Sequence, residues 1–77
     1  MSALDDLTRR LGLLQTASKD AAKIWAQRTR ALEKQGKTWD QAAMTAATEV
    51  FPSEFKPNSY RSESSIEALL DAIEKLV

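Results

Sequence analysis

Apolar residues recur along the first half of the chain at alternating intervals of three and four, the spacing of a heptad seam. Residues 3–34 contain no proline, and Gly12 is the one residue among them that disfavours a helix. Gly36 then marks the end of the helix. The pattern therefore predicts a single long N-terminal helix over about residues 3–34. The apolar residues on its seam are Leu4, Leu7, Leu11, Leu14, Ala21, Trp25 and Leu32.

Two shorter helices are predicted in the second half of the chain. Thr38 with Gln41 three residues later forms a capping box, and Phe51-Pro52 ends the helix that it starts, so we expect a helix over about residues 38–51. A third helix is expected over about residues 60–76. No segment shows the alternation of a strand. The sequence predicts an all-α protein with three helices in one domain, residues 1–77. The apolar face of the third helix consists of Ile66, Leu69, Leu70, Ile73, Leu76 and Val77.

The residue types exclude several kinds of chemistry. The 77 residues include no cysteine and no histidine, so disulfides, thiolate metal sites and histidine general bases are absent. The paired carboxylates at Asp5 and Asp6 suit a helix N-terminus, and neither glycine belongs to a phosphate-binding loop. We predict a protein that is not an enzyme, with no cofactor, no metal and no small-molecule substrate. The N-terminal stretch resembles neither a secretory signal nor a membrane span, so a cytoplasmic location is expected.

The length of the first helix points to a binding surface. About 31 residues span ~46 Å, more than two short partner helices can cover. We therefore expect residues 1–16 to overhang as a dimerisation segment, with Leu4, Leu7, Leu11 and Leu14 as its interface. Alternatively, the whole stripe packs on the other two helices of its own monomer. The overhang favours a homodimer or another protein partner.

The charges are distributed unevenly although their sum is zero. Between Arg9 and Lys37 there are eight Lys or Arg residues against Asp20 and Glu33, whereas residues 38–77 carry three basic residues against seven acids. Such asymmetry suggests a polyanion partner for the basic part, an intermolecular fit between the two oppositely charged halves, or simply two solvated faces. The candidate phosphate contacts on the first helix are Lys19, Lys23, Arg30, Lys34 and Lys37.

The stretch "LEKQGKTWDQAA", followed by "FP" and "KPNSYRS", resembles the Myb/SANT-type trihelical helix-turn-helix domains over roughly residues 20–65. The resemblance implies that Trp39 is a core tryptophan and that an early Arg of the third helix faces DNA. The groove or phosphate contacts that it implies are Lys56, Asn58, Ser59, Arg61, Ser62 and Ser65.

Two functions follow from these patterns. In the first, the chain is an adaptor or inhibitor that binds a protein partner through the leucine stripe or through the loop from Phe51 to Tyr60. In the second, it is a dimeric helix-turn-helix-like regulator that binds nucleic acid. The neutral net charge and the acids of the third helix favour the protein partner.

Overall fold

Four α-helices and one 3₁₀ turn form the part of the chain that the computed structural model describes, residues 2–61 and 65–76. The helices are α1 (Ala3–Leu11), α2 (Lys19–Lys34), α3 (Trp39–Val50) and α4 (Ile66–Glu74), and the 3₁₀ turn covers Pro57–Ser59. No strand occurs in these residues. The all-α prediction is confirmed, whereas the prediction of three helices is wrong.

The helix predicted over residues 3–34 is divided into α1 and α2, and the first of the two ends at Gly12. This residue has φ 69°, in the left-handed region, and caps α1. The N–H of Leu13 then donates to the Thr8 carbonyl at 3.0 Å, which closes the last turn as in a Schellman motif. The helix restarts only after Ser18, whose side chain accepts the Ala21 N–H at 3.2 Å. A single helix over residues 3–34 is therefore excluded, and the longest dimension of the protein is 29 Å.

The linker between α1 and α2 is fixed to the body of the protein, so the described part of the predicted dimerisation segment, residues 2–16, folds back onto the other helices and does not overhang. The Thr8 hydroxyl accepts the Ala17 N–H at 2.9 Å and donates to the Leu4 carbonyl at 2.7 Å. Leu13 and Ala17 are buried. Because the chain turns back here, α1 packs on α4 and on α2.

The α2–α3 pair forms the tightest part of the core. Trp25 is fully buried, and its Nε1 donates to the Ala43 carbonyl at 3.1 Å. The capping box at the start of α3 is confirmed, since Thr38 Oγ1 accepts the Gln41 N–H at 3.2 Å and Gln41 Oε1 accepts the Thr38 N–H at 3.4 Å. Small side chains allow the two helices to approach closely. The fully buried alanines of α3 are Ala42, Ala43, Ala46 and Ala47.

The last helix starts later than predicted. Its N-cap is Ser65, which accepts the Ala68 N–H at 3.4 Å, so α4 begins at Ile66 and not near residue 60. The 3₁₀ turn that begins at Pro57 occupies part of the intervening segment. The apolar face of α4 packs on α1 and α2 as expected, although Leu76 is only half-buried and Val77 lies outside the described residues. The buried residues of α4 are Ile66, Leu69, Leu70 and Ile73.

Candidate protein-binding surface

The predicted leucine interface is mostly inside the protein. Leu7 and Leu11 are 0% exposed, and Leu4 is half-buried against the same core. Leu14, in contrast, is 90% exposed. The expectation of an exposed four-leucine stripe was wrong because α1 ends at Gly12 and packs on α4 and α2. Of the four leucines, Leu14 alone is displayed to solvent.

A groove lies between α1 and residues 57–61, next to the loop that carries Leu14. It has a volume of about 700 Å³ and is open to solvent. It combines one apolar side chain with hydroxyl, amide and charged groups. The lining residues are Asp5, Thr8, Arg9, Gly12, Leu13, Asn58, Ser59, Tyr60 and Arg61. The sequence predicted three of these residues, Asn58, Ser59 and Arg61, as ligand contacts.

The groove is built by close backbone contact. The Arg61 N–H donates to the Arg10 carbonyl at 2.8 Å, which satisfies one of the carbonyls that the end of α1 leaves unpaired. Ser59 lies against Gly12, since a Cβ placed on Gly12 would be 2.7 Å from Ser59 Cβ. Residues 57–61 are therefore fixed along the last turn of α1, and the exposed side chains of Asn58 and Arg61 start from a defined backbone.

A network of polar side chains also holds residues 57–61 against the start of α3. Tyr60 Oη donates to Asp40 Oδ1 at 2.8 Å, at the start of α3. Burial of the phenol and this hydrogen bond to Asp40 raise the pKa of Tyr60 to about 12, against an opposing hydrogen bond with Arg10. Arg10 is only 7% exposed. Tyr60 ends the loop that the sequence predicted as a contact surface, whereas nothing in the sequence distinguishes the buried Arg10 from the exposed Arg9 beside it.

The predicted phosphate contacts on and just after α2, which we call the basic stripe, do not form a continuous surface of unpaired basic side chains. Arg30 forms ion pairs with Asp71 and Glu74 of α4, each at 2.7 Å, and these carboxylates raise the Arg30 pKa. Lys23 is half-buried. Arg30, which the sequence predicted as a phosphate contact, is therefore paired with two acids of the same chain. The remaining stripe residues, all exposed and without an ion pair among the described residues, are Lys19, Lys34 and Lys37.

None of the candidate DNA-reading residues that the structure describes lies on an α-helix. Lys56 and Arg61 are exposed and flank the 3₁₀ turn, whereas Ser65 caps α4. Ser62 lies outside the described residues. The exposed positions of α4 include Glu67 and Asp71, which would repel a phosphate backbone. The Myb/SANT resemblance placed an early Arg on the third helix, whereas Arg61 precedes α4 in the structure; Trp39 does pack against the core.

A smaller cleft lies on the other side of Arg9, between α1 and α4. Its volume is about 220 Å³, below the several hundred Å³ usual for a small-molecule site. The lining residues are Asp6, Arg9, Arg10, Ser65, Ala68, Leu69 and Ala72. Within residues 2–61 and 65–76, no three acidic side chains group as metal ligands would. In the same residues, no helix has the length and apolarity to cross a membrane.

Comparison of the chain with protein families, with curated proteins and with solved structures gives no match.

Proposed function

We propose that the chain is a small non-catalytic adaptor or inhibitor that binds a protein partner at Leu14 and in the groove between α1 and residues 57–61. The observation that carries the proposal is Leu14, a large apolar side chain 90% exposed on a linker whose neighbours Leu13 and Ala17 are buried. A rigid apolar anchor surrounded by polar groups is the usual composition of a protein-binding site. The groove supplies that polar surround through Asn58 and Arg61.

The charge arrangement supports a protein partner over a nucleic acid. Arg28 and Arg30, in the middle of α2, are paired with Glu49 and with the acids of α4. The groove itself contains both signs of charge, since Asp5 lines it together with Arg61. We propose the cytoplasm as the place of action, because a chain without cysteine suits a reducing compartment.

Site-specific photocrosslinking tests this proposal. A photoreactive residue is placed at Leu14 in one variant and at Gln27, an exposed position on α2, in a matched control. In cells that naturally express the chain, we expect a discrete protein adduct from position 14, absent from position 27 and weakened when Arg61→Glu is added. Equal labelling at both positions, or no protein adduct from position 14, would contradict it.

Nucleic-acid binding is the second candidate function, and the exposed Lys34 and Lys37 at the end of α2 favour it. Binding to phosphates releases counterions, so the affinity for duplex DNA would fall steeply with salt. Light scattering of the protein with random-sequence duplex at low and physiological salt distinguishes the two functions. We expect no salt-dependent complex. A complex that is lost in the double variant Lys34→Glu, Lys37→Glu would favour the nucleic-acid function.

A further inference from the structure

The groove between α1 and residues 57–61 contains two side chains of opposite charge that do not pair with each other. Asp5 and Arg61 both line the groove, and both are exposed. Neither side chain forms an ion pair with any residue that the structure describes. Arg9, the third charged residue of the groove, donates to Asp6 Oδ1 at 3.2 Å, so its charge is balanced within the chain. The groove therefore offers an occupant one unbalanced negative charge and one unbalanced positive charge.

The two charges lie toward opposite ends of α1. Asp5 is in the first turn of the helix. Arg61 is held at the last turn, where its N–H donates to the Arg10 carbonyl. Asp5 and Arg10 are five residues apart in the helix, about 7.5 Å along its axis. The exposed Leu14 is on the linker that follows the last turn, so the surface has a negative end and a positive end with an apolar side chain beside it.

We infer that the groove binds a protein segment with the opposite arrangement of charges, a basic residue at one end and an acidic residue next to an apolar one at the other. We call this the dipolar segment. The base faces Asp5, the acid faces Arg61 and the apolar residue contacts Leu14. An extended chain rises about 3.3 Å per residue, so its base and acid are about two or three positions apart. This inference rests on the proposed function and specifies the chemistry of its partner.

The same two charges disfavour other occupants. A nucleic acid has phosphates along its whole backbone, and Asp5 repels those that reach its end of the groove. A uniformly acidic peptide meets the same repulsion. An uncharged segment would take water from Asp5 and Arg61 without providing a partner for either, which costs free energy. The dipolar segment balances both charges, so the groove selects it by attraction and by exclusion of the alternatives.

The charges can be changed without loss of the backbone contacts that hold these residues. Arg61 is fixed through its main-chain N–H, which every residue except proline provides. Asp5 likewise uses its main-chain N–H to bind the Ser2 hydroxyl. Because both side chains are exposed, Arg61→Glu and Asp5→Lys should retain the fold, which circular dichroism checks.

Selection from a display library of random short peptides, applied to the full-length chain, tests the inference. We expect the unaltered chain to enrich peptides in which a base lies two or three positions from an acid that neighbours an apolar residue. Arg61→Glu should replace the enriched acid by a base, and Asp5→Lys should replace the enriched base by an acid. Lys37→Glu reverses an exposed charge outside the groove and is the matched control, which should enrich the same peptides as the unaltered chain.

A synthetic peptide of the enriched sequence gives the size of the effect. Arg61→Gln should weaken its binding by up to about fivefold, the effect of one exposed ion pair. The difference should shrink at high salt, because salt screens exposed charges.

Three results would overturn the inference. If the enriched peptides have no charge pattern, or the same pattern in the unaltered chain and in both charge variants, the charges do not select the segment. If no peptide is enriched, the groove does not bind a peptide. If light scattering shows a dimer of the unaltered chain that Arg61→Glu dissociates, the occupant is a second copy.

Leu14→Ala separates failure of this inference from failure of the proposed function. An enrichment that has no charge pattern but is lost in Leu14→Ala contradicts the inference alone. An enrichment that persists in Leu14→Ala contradicts both, because the apolar anchor then has no part in binding.

Discussion

Gly12 and Ser59 are in such close contact that position 12 has no room for a side chain. A Cβ on Gly12 would lie 2.7 Å from Ser59 Cβ and 3.0 Å from the Ser59 carbonyl oxygen. The same glycine adopts φ 69°, which L-residues with a Cβ adopt at a cost. One residue therefore ends α1, turns the chain toward α2 and leaves space for the segment that forms the groove.

Gly12→Ala should lower the free energy of unfolding by about 2 kcal/mol or more, the sum of a left-handed backbone penalty and a steric contact. Ser59→Gly in the same chain removes one of the clashing atoms, so the double variant should recover part of the loss. Chemical denaturation measures both values. An unchanged midpoint in Gly12→Ala would contradict the position of residues 57–61 against α1.

Leu11 and Leu14 should respond oppositely to truncation, although the heptad spacing assigned both the same role. Leu11→Ala should cost about 2–5 kcal/mol because it leaves a cavity in the core, whereas Leu14→Ala should change stability by less than about 0.5 kcal/mol. Thermal unfolding of the two variants checks the contrast. Comparable losses at both positions would mean that Leu14 is covered, for example by a second copy.

Tyr60 should make the protein sensitive to alkali. The pKa of Tyr60 is about 12 in the folded protein, against an ordinary value of 10.0. The stabilisation that the protonated Tyr60 hydroxyl gives to the folded state is therefore complete below pH 10 and is lost as the pH rises toward 12. Tyr60 is the one tyrosine of the chain, so tyrosinate absorbance reports it alone. We expect a titration near pH 12 in the folded protein.

Tyr60→Phe is the matched control for that titration. It removes the phenol and the hydrogen bond to Asp40, so it should lower the stability at neutral pH by about 1 kcal/mol. The loss of stability between pH 10 and pH 12 should be smaller than in the unaltered chain, because phenylalanine has no hydroxyl proton to lose. Identical alkaline profiles for the two proteins would refute the role of Tyr60.

The ion pairs of Arg30 with Asp71 and Glu74 should contribute modestly to the free energy of unfolding, and in a salt-dependent manner. The Arg30 side chain is 33% exposed and its partners are more exposed still, so each ion pair is worth about 0.2–1 kcal/mol at low salt. Arg30→Gln should therefore lower the unfolding free energy by that order, and the loss should shrink in molar salt. Denaturation at two salt concentrations measures it. A loss that does not depend on salt would indicate a packing role for the Arg30 side chain.

The parts of the fold that depend on residues close together in the sequence could be predicted. The capping box of Thr38 and Gln41 and the apolar face of α4 follow from local spacing, and both are present. The sequence marked Gly12 as the place for a break but did not decide between a break and a continuous helix. The heptad pattern continues across it, and the contact that favours a turn comes from Ser59, a distant residue.

The candidate site was predictable only in part, for the same reason. The Myb/SANT resemblance implied Asn58 and Arg61 as DNA contacts, and both line the groove in the structure. The pairing of Arg30 with Asp71 and Glu74 joins distant parts of the chain, so the sequence presented Arg30 as one more member of a basic stripe. The burial of Arg10 likewise depends on tertiary packing.

The contact between α1 and α4 has a consequence for the order of folding. The α2–α3 pair joins segments that are neighbours along the chain, so it closes a short loop at a small entropic cost. The α1–α4 contact joins the first helix to the last and must close nearly the whole chain. Contacts between residues far apart in the sequence slow folding. We therefore expect the hairpin of α2 and α3 to form early and the packing of α1 on α4 to form last.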